Sequence, residues 1–81
     1  MPMDSVGPRE IMLILSVTDA LGLHREAVAI PLWTEAEGRL RVTGGGRLEI
    51  TAPACGDFEA WLAALPAALH KLDLSAVRRA E

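Results

Sequence analysis

Cys55, His24 and His70 are the side chains of this chain best suited to nucleophilic or metal chemistry. Cys55 stands in a Pro-Ala-Cys-Gly-Asp segment that precedes a predicted helix. A thiol at the N-terminus of a helix can ionise readily and become reactive, but the nearby carboxylate of Asp57 disfavours the thiolate. No histidine is adjacent in the sequence to serve as its base. We therefore expect a half-buried loop cysteine, with thiol chemistry as the alternative.

Metal binding requires three or four ligands held in an ordered geometry. His24 and His70 lie 46 positions apart, and the chain contains no CxxC, HxxxH or HExxH motif. Cys55 would complete a set of three ligands only if the fold gathered all of them. The sequence therefore predicts no metal, no cofactor and no catalytic residue, and we expect a protein that is not an enzyme.

Three consecutive glycines, Gly44 to Gly46, precede Arg47 and would suit a loop that binds phosphate through backbone N–H groups. A phosphate loop, however, continues into a helix and carries Lys and Ser or Thr. The segments on either side instead alternate in polarity, which is typical of strands with one apolar face. We therefore predict a β-hairpin with a three-residue loop. The expected opposite pairs are Thr43 with Arg47, Val42 with Leu48, Arg41 with Glu49, and Leu40 with Ile50.

Trp33 is the aromatic residue best placed for an interface. In a strand over residues 27–33 it lies on the outer face beside Pro31, whereas Leu32 points to the core and faces Leu40. Interfaces favour Trp and Arg, and Arg39 and Arg41 lie on the same outer face in the next strand. We predict an interface formed by Trp33, Pro31, Arg39 and Arg41. The alternative is that the chain's own termini cover Trp33. Trp61, in contrast, shares a helical face with leucines and is predicted to be a core residue.

Charge and cysteine content limit the classes of partner. The chain has 8 Lys and Arg residues against 11 Asp and Glu residues, so its net charge is −3. Binding to nucleic acid or to an anionic membrane usually needs a basic surface, so we expect neither. A nucleic-acid-binding domain that uses Arg39, Arg41 and Arg47 is the alternative function. A single cysteine and the lack of a signal peptide predict a cytoplasmic location.

The elements that must position these residues follow from periodicity and from helix start and stop residues. The chain is long enough for one small domain, and its core must be aliphatic because aromatic residues make up only 4%. We predict a loose N-terminus over 1–7, a helix over 8–22, strands over 27–33, 39–43 and 47–52, a helix over 57–72 that Pro66 kinks or divides, and a short helix over 74–80.

This order predicts a two-layer α+β fold, α-β-β-β-α, in which a three-stranded antiparallel meander packs both helices on one face. The order resembles that of double-stranded RNA-binding domains. That family's RNA recognition implies basic residues at the start of the last helix, where this chain has Asp57 and Glu59. We therefore expect a small protein–protein interaction module, working as an adaptor, inhibitor or accessory subunit, that forms a homodimer.

Overall fold

The computed structural model describes residues 5–77 and has an α+β fold with two helices and a four-stranded sheet. The two helices enclose the four strands in chain order, and a 3₁₀ turn precedes the first strand. The elements are α1 (Pro8–Ala20), a 3₁₀ turn (Arg25–Ala27), β1 (Val28–Ala29), β2 (Thr34–Glu35), β3 (Arg39–Val42), β4 (Leu48–Pro53) and α2 (Phe58–His70).

The hairpin of β3 and β4 has the register that the sequence predicts. Arg39 pairs with Thr51, Leu40 with Ile50, Arg41 with Glu49 and Val42 with Leu48 in an antiparallel ladder. The N–H of Thr43 donates to the carbonyl of Arg47 at 2.8 Å and closes the loop. Leu48 and Ile50 are fully buried, because this register directs the apolar side chains of β4 to the core.

The predicted antiparallel meander is wrong, because the segment before the hairpin pairs with β4 rather than with β3. Both β1 and β2 run parallel to β4, with Val28 opposite Leu48 and Thr34 opposite Ala52. The expected pairing of Leu32 with Leu40 is therefore absent. β4 is the central element, since each of the other three strands pairs with it. The observed order has four strands between the helices rather than three, so it also differs from the order that resembles double-stranded RNA-binding domains.

Helix α1 begins at Pro8, whose missing N–H is harmless in the first turn. One narrow stripe along α1 is exposed, and it consists of Arg9, Met12, Ser16 and Asp19. The helix ends at Ala20, two residues before the predicted end, and the N–H of Leu23 bonds to the carbonyl of Thr18 beyond it. Arg25 in the 3₁₀ turn donates to the Asp19 carboxylate at 2.8 Å, and this bond lowers the pKa of Asp19.

Helix α2 is capped by the Asp57 side chain, which accepts the N–H of Glu59 at 3.0 Å. The helix continues through Pro66 to His70, so the proline does not divide it. After α2, the N–H of Val77 bonds to the carbonyl of Leu74 in a turn, so the predicted helix over 74–80 is wrong for residues 74–77. The remainder of that prediction, like most of the loose start over 1–7, lies outside the described residues.

A single aliphatic core joins the two helices to β4. It includes Ile14 from α1, Leu48 and Ile50 from β4, and Leu65 and Leu69 from α2. An ion pair of 3.2 Å between Arg9 and Glu59 links the first turns of the two helices at the surface. No helix within residues 5–77 has the length and apolar character that crossing a bilayer requires.

Candidate interaction surface

Leu32 and Trp33 form the most exposed pair of adjacent large apolar side chains in the described chain. Leu32 is 61% exposed and Trp33 is 63% exposed. Exposed hydrophobic residues that occur singly are common, but a tryptophan beside a leucine in solvent has the composition of an interface centre. We call these two residues, with the half-buried Pro31, the Trp33 surface.

The Trp33 surface exists because the chain bows out of the sheet between β1 and β2. Val28 and Thr34 are six positions apart, whereas their partners on β4, Leu48 and Ala52, are four positions apart. Pro31 has no N–H to donate to a strand ladder, so a break in pairing here is physically expected. Residues 30–33 have no pairing with β4, so the strict alternation that the prediction assumed over 27–33 does not hold there. The prediction that Leu32 faces the core is wrong, since Leu32 is 61% exposed.

The N-terminal part of the chain fixes the backbone of the Trp33 surface. Ser5 forms an isolated antiparallel bridge with Trp33, and the N–H of Val6 donates to the carbonyl of Leu32 at 2.9 Å. Val6 itself is 5% exposed, so this segment is anchored in the protein. The Trp33 side chain stays largely exposed despite these neighbours. A fixed backbone lowers the entropy lost when such side chains bind a partner.

The structure separates the four residues of the predicted interface into two groups, Pro31 with Trp33 and Arg39 with Arg41. Arg39 lies 3.8 Å from Glu35, and Arg41 donates to Glu49 at 3.3 Å across the hairpin. Within residues 5–77 neither arginine forms a cation–π contact with Trp33. The reason is the strand order. The prediction placed residues 27–33 beside β3, whereas β1 and β2 pair with β4.

The same ion pairs bear on the nucleic-acid hypothesis. Arg39 and Arg41 each have a carboxylate within 4 Å, so part of their charge is neutralised within the chain. Among the described residues Arg47 forms no ion pair, and it lines a cavity of about 210 Å³ together with Glu26 and the glycines of the hairpin loop. A carboxylate in the wall of that cavity disfavours a phosphate there.

The residues suited to chemistry are not brought together. Cys55 is exposed rather than half-buried, because it stands in the turn before α2. The Nδ1 atom of His24 accepts the N–H of Glu26 at 3.0 Å and so caps the 3₁₀ turn. His70 is exposed in the last turn of α2. Within residues 5–77 no three His, Cys, Asp or Glu side chains are grouped closely enough to hold a metal ion.

Trp61 packs against the core as predicted, and its position explains why residue 38 is a glycine. Its ring lies 5.6 Å from that of Phe58, and it is half-buried. Gly38 closes the turn between β2 and β3 with a φ of +77°, and a Cβ there would lie 2.8 Å from the Trp61 Nε1 atom. Trp61 therefore supports the turn from inside and is unavailable as an anchor for a partner.

Met12 is the third exposed large apolar side chain within residues 5–77, with 54% of its surface exposed on α1. It is a single apolar residue within a polar stripe, which is an ordinary feature of protein surfaces.

No protein-family model, curated protein or solved structure matches this chain. Inferences about function therefore depend on the residues themselves.

Proposed function

We propose that this protein is a small cytoplasmic protein–protein interaction module, an adaptor, inhibitor or accessory subunit without catalytic chemistry of its own. It self-associates through the Trp33 surface. The observation that carries the proposal is the adjacent exposure of Leu32 and Trp33 on a backbone fixed by Ser5 and Val6. Tryptophan at the centre of an interface contributes a large share of the binding free energy.

The size of the protein sets how much of its surface a dimer would use. A stable interface buries about 800 Å² on each partner. The whole accessible surface is 5078 Å², so a dimer of ordinary stability would cover about one-sixth of it. Leu32 and Trp33 alone are too small for that area. They are proposed as the centre of a two-fold interface, in which the same patch of each copy meets, surrounded by polar residues.

The experiment is the absolute mass in solution, measured by light scattering over a range of micromolar concentrations for wild type and for Trp33→Ala. We expect a wild-type dimer and a folded Trp33→Ala monomer, because removing the central aromatic side chain costs at least about 2 kcal/mol of association at a hot spot. Met12→Ala is the matched control, since it removes a comparably exposed apolar side chain from α1. It should leave the dimer intact.

A wild-type monomer at every concentration would contradict self-association. Equal loss of dimer in Trp33→Ala and Met12→Ala would contradict the location of the interface.

Nucleic-acid binding through Arg39, Arg41 and Arg47 stays the alternative. It predicts binding to duplex RNA or DNA that weakens steeply as salt rises. The ion pairs of Arg39 and Arg41 do not favour it.

A further inference from the structure

The outer edge of β3 carries backbone groups that no described residue satisfies. Thr43 and Arg47 are a hydrogen-bonded pair, so the alternation of an antiparallel ladder makes Arg41 and Arg39 the next bonded positions on β3. The N–H and C=O groups of Leu40 and Val42 therefore point away from β4. Within residues 5–77, β3 pairs with β4 alone.

This edge is on the opposite side of β4 from β1. Both β1 and β3 pair with Leu48 and Glu49, and two strands that pair with the same residues must lie on opposite edges. Pairing of another strand at β3 would therefore extend the sheet without displacing any element within residues 5–77. A peptide strand added to such an edge gains main-chain hydrogen bonds, and its alternate side chains provide specificity.

The side chains of β3 determine which residues an added strand would need in order to bind. Arg39 and Arg41 lie exposed on one face, while Leu40 and Val42 are half-buried on the other. β4 already shows what fits beside them, since Glu49 lies opposite Arg41 and Leu48 opposite Val42. Each arginine makes one described ion pair and has further N–H donors in its guanidinium group. A strand that alternates acidic and apolar residues would complement both faces.

A second copy of β3 is a poor occupant of this edge. In an antiparallel pairing centred on Leu40, Arg39 of each copy lies opposite Arg41 of the other. A pairing centred on Arg41 puts that residue opposite itself. Like charges directly opposite each other destabilise a sheet. The two arginines of β3 therefore disfavour a second copy. The guanidinium donors that their ion pairs with Glu35 and Glu49 leave unused favour an acidic chain.

We propose that β3 is a strand-addition site that binds an extended segment of a partner protein with alternating acidic and apolar residues. The proposal rests on the proposed function in taking the chain to be a protein-binding module, but it concerns a surface separate from Trp33. Because the edge offers four backbone groups over two residues, binding is expected to be weak and reversible.

The test uses the full chain and three short synthetic peptides, followed by amide chemical shifts in NMR. The first peptide alternates valine and glutamate, the second replaces glutamate with lysine, and the third is the glutamate peptide with every backbone nitrogen methylated. We expect the glutamate peptide to shift the amides of residues 39–43 in a saturable way. The lysine and N-methylated peptides should bind at least about fivefold more weakly, since one lacks the charge and the other lacks the donors.

The double variant Arg39→Glu/Arg41→Glu should bind the lysine peptide better than the glutamate peptide. Lys71→Glu reverses an exposed charge at the end of α2 and should leave the binding of all three peptides unchanged. Equal binding of the N-methylated peptide, shifts that map elsewhere, or no binding would overturn the proposal. Shifts at residues 39–43 caused by raising the concentration of the protein alone would assign the edge to a second copy and also overturn it. The mass of the Trp33→Ala variant does not depend on any of these peptide measurements. Failure of the strand-addition proposal can therefore be told apart from failure of the proposed function.

Discussion

Gly46 shows how one residue fixes the hairpin on which the sheet depends. The sequence predicts a three-glycine loop but does not say which glycine is required. In the structure Gly46 has a φ of +77°, and a Cβ on it would lie 2.7 Å from the carbonyl oxygen of Ala76. Ala76 is distant in the sequence, so only the packed chain reveals this contact. Gly44 has open space around it and no such conformation.

We predict that Gly46→Ala lowers the free energy of unfolding by about 1–3 kcal/mol, because alanine is strained at this φ and its Cβ meets the Ala76 backbone. Gly44→Ala is the matched control in the same loop and should change stability little. Urea denaturation of both variants checks this. Equal effects of the two substitutions would show that Gly46 has no special role.

At the scale of elements, the sequence predicted correctly the features that depend only on residues close together in the chain. The register of β3 and β4 follows from alternation and a short loop, and both features lie within the residues concerned. Alternation within the segment over 27–33 indicates which side chains share a face. It does not determine which strand the segment pairs with. Pro31 cannot donate to a strand ladder, but the exposure of Leu32 became clear only from the pairing of both β1 and β2 with β4.

Helix α2 retains Pro66 in its interior, and this gives a prediction about the element itself. Proline there lacks the N–H that would bond to the carbonyl of Leu62. We expect Pro66→Ala to raise the free energy of unfolding by about 1–2 kcal/mol, the gain in helical bonding being partly offset by a freer unfolded chain.

The control for Pro66→Ala is Pro31→Ala, at a second half-buried proline that lies outside any helix. Both are made in the Trp33→Ala background, so that the proposed interface does not contribute. Pro31→Ala frees the unfolded chain without restoring a helical bond, so stability should fall slightly. Thermal or urea unfolding of the two variants distinguishes these signs. A Pro66→Ala protein less stable than its Trp33→Ala parent would show that the proline ring contributes more through packing than it costs in hydrogen bonding.

At the scale of the whole molecule, the described chain offers two separate surfaces around one strand. β4 supplies the core and pairs with every other strand. One surface is the bowed segment with Leu32 and Trp33, and the other is the outer edge of β3. The prediction of an interface at Trp33, Pro31, Arg39 and Arg41 rested on residue type and on the assumed outer face of the sheet. The sequence could not predict that they separate, because their separation follows from parallel pairing across the whole sheet.

The most direct test of the central claim is ¹⁹F NMR of the protein labelled with 5-fluorotryptophan, recorded over a dilution series in H₂O and D₂O. The two resonances belong to Trp33 and Trp61, and Trp33→Phe assigns them. We predict that the Trp33 resonance is sensitive to the solvent isotope when dilute and loses that sensitivity as concentration rises, whereas the Trp61 resonance does not change with concentration. A Trp33 resonance that stays equally sensitive to the solvent isotope up to the highest concentration would contradict the proposed interface.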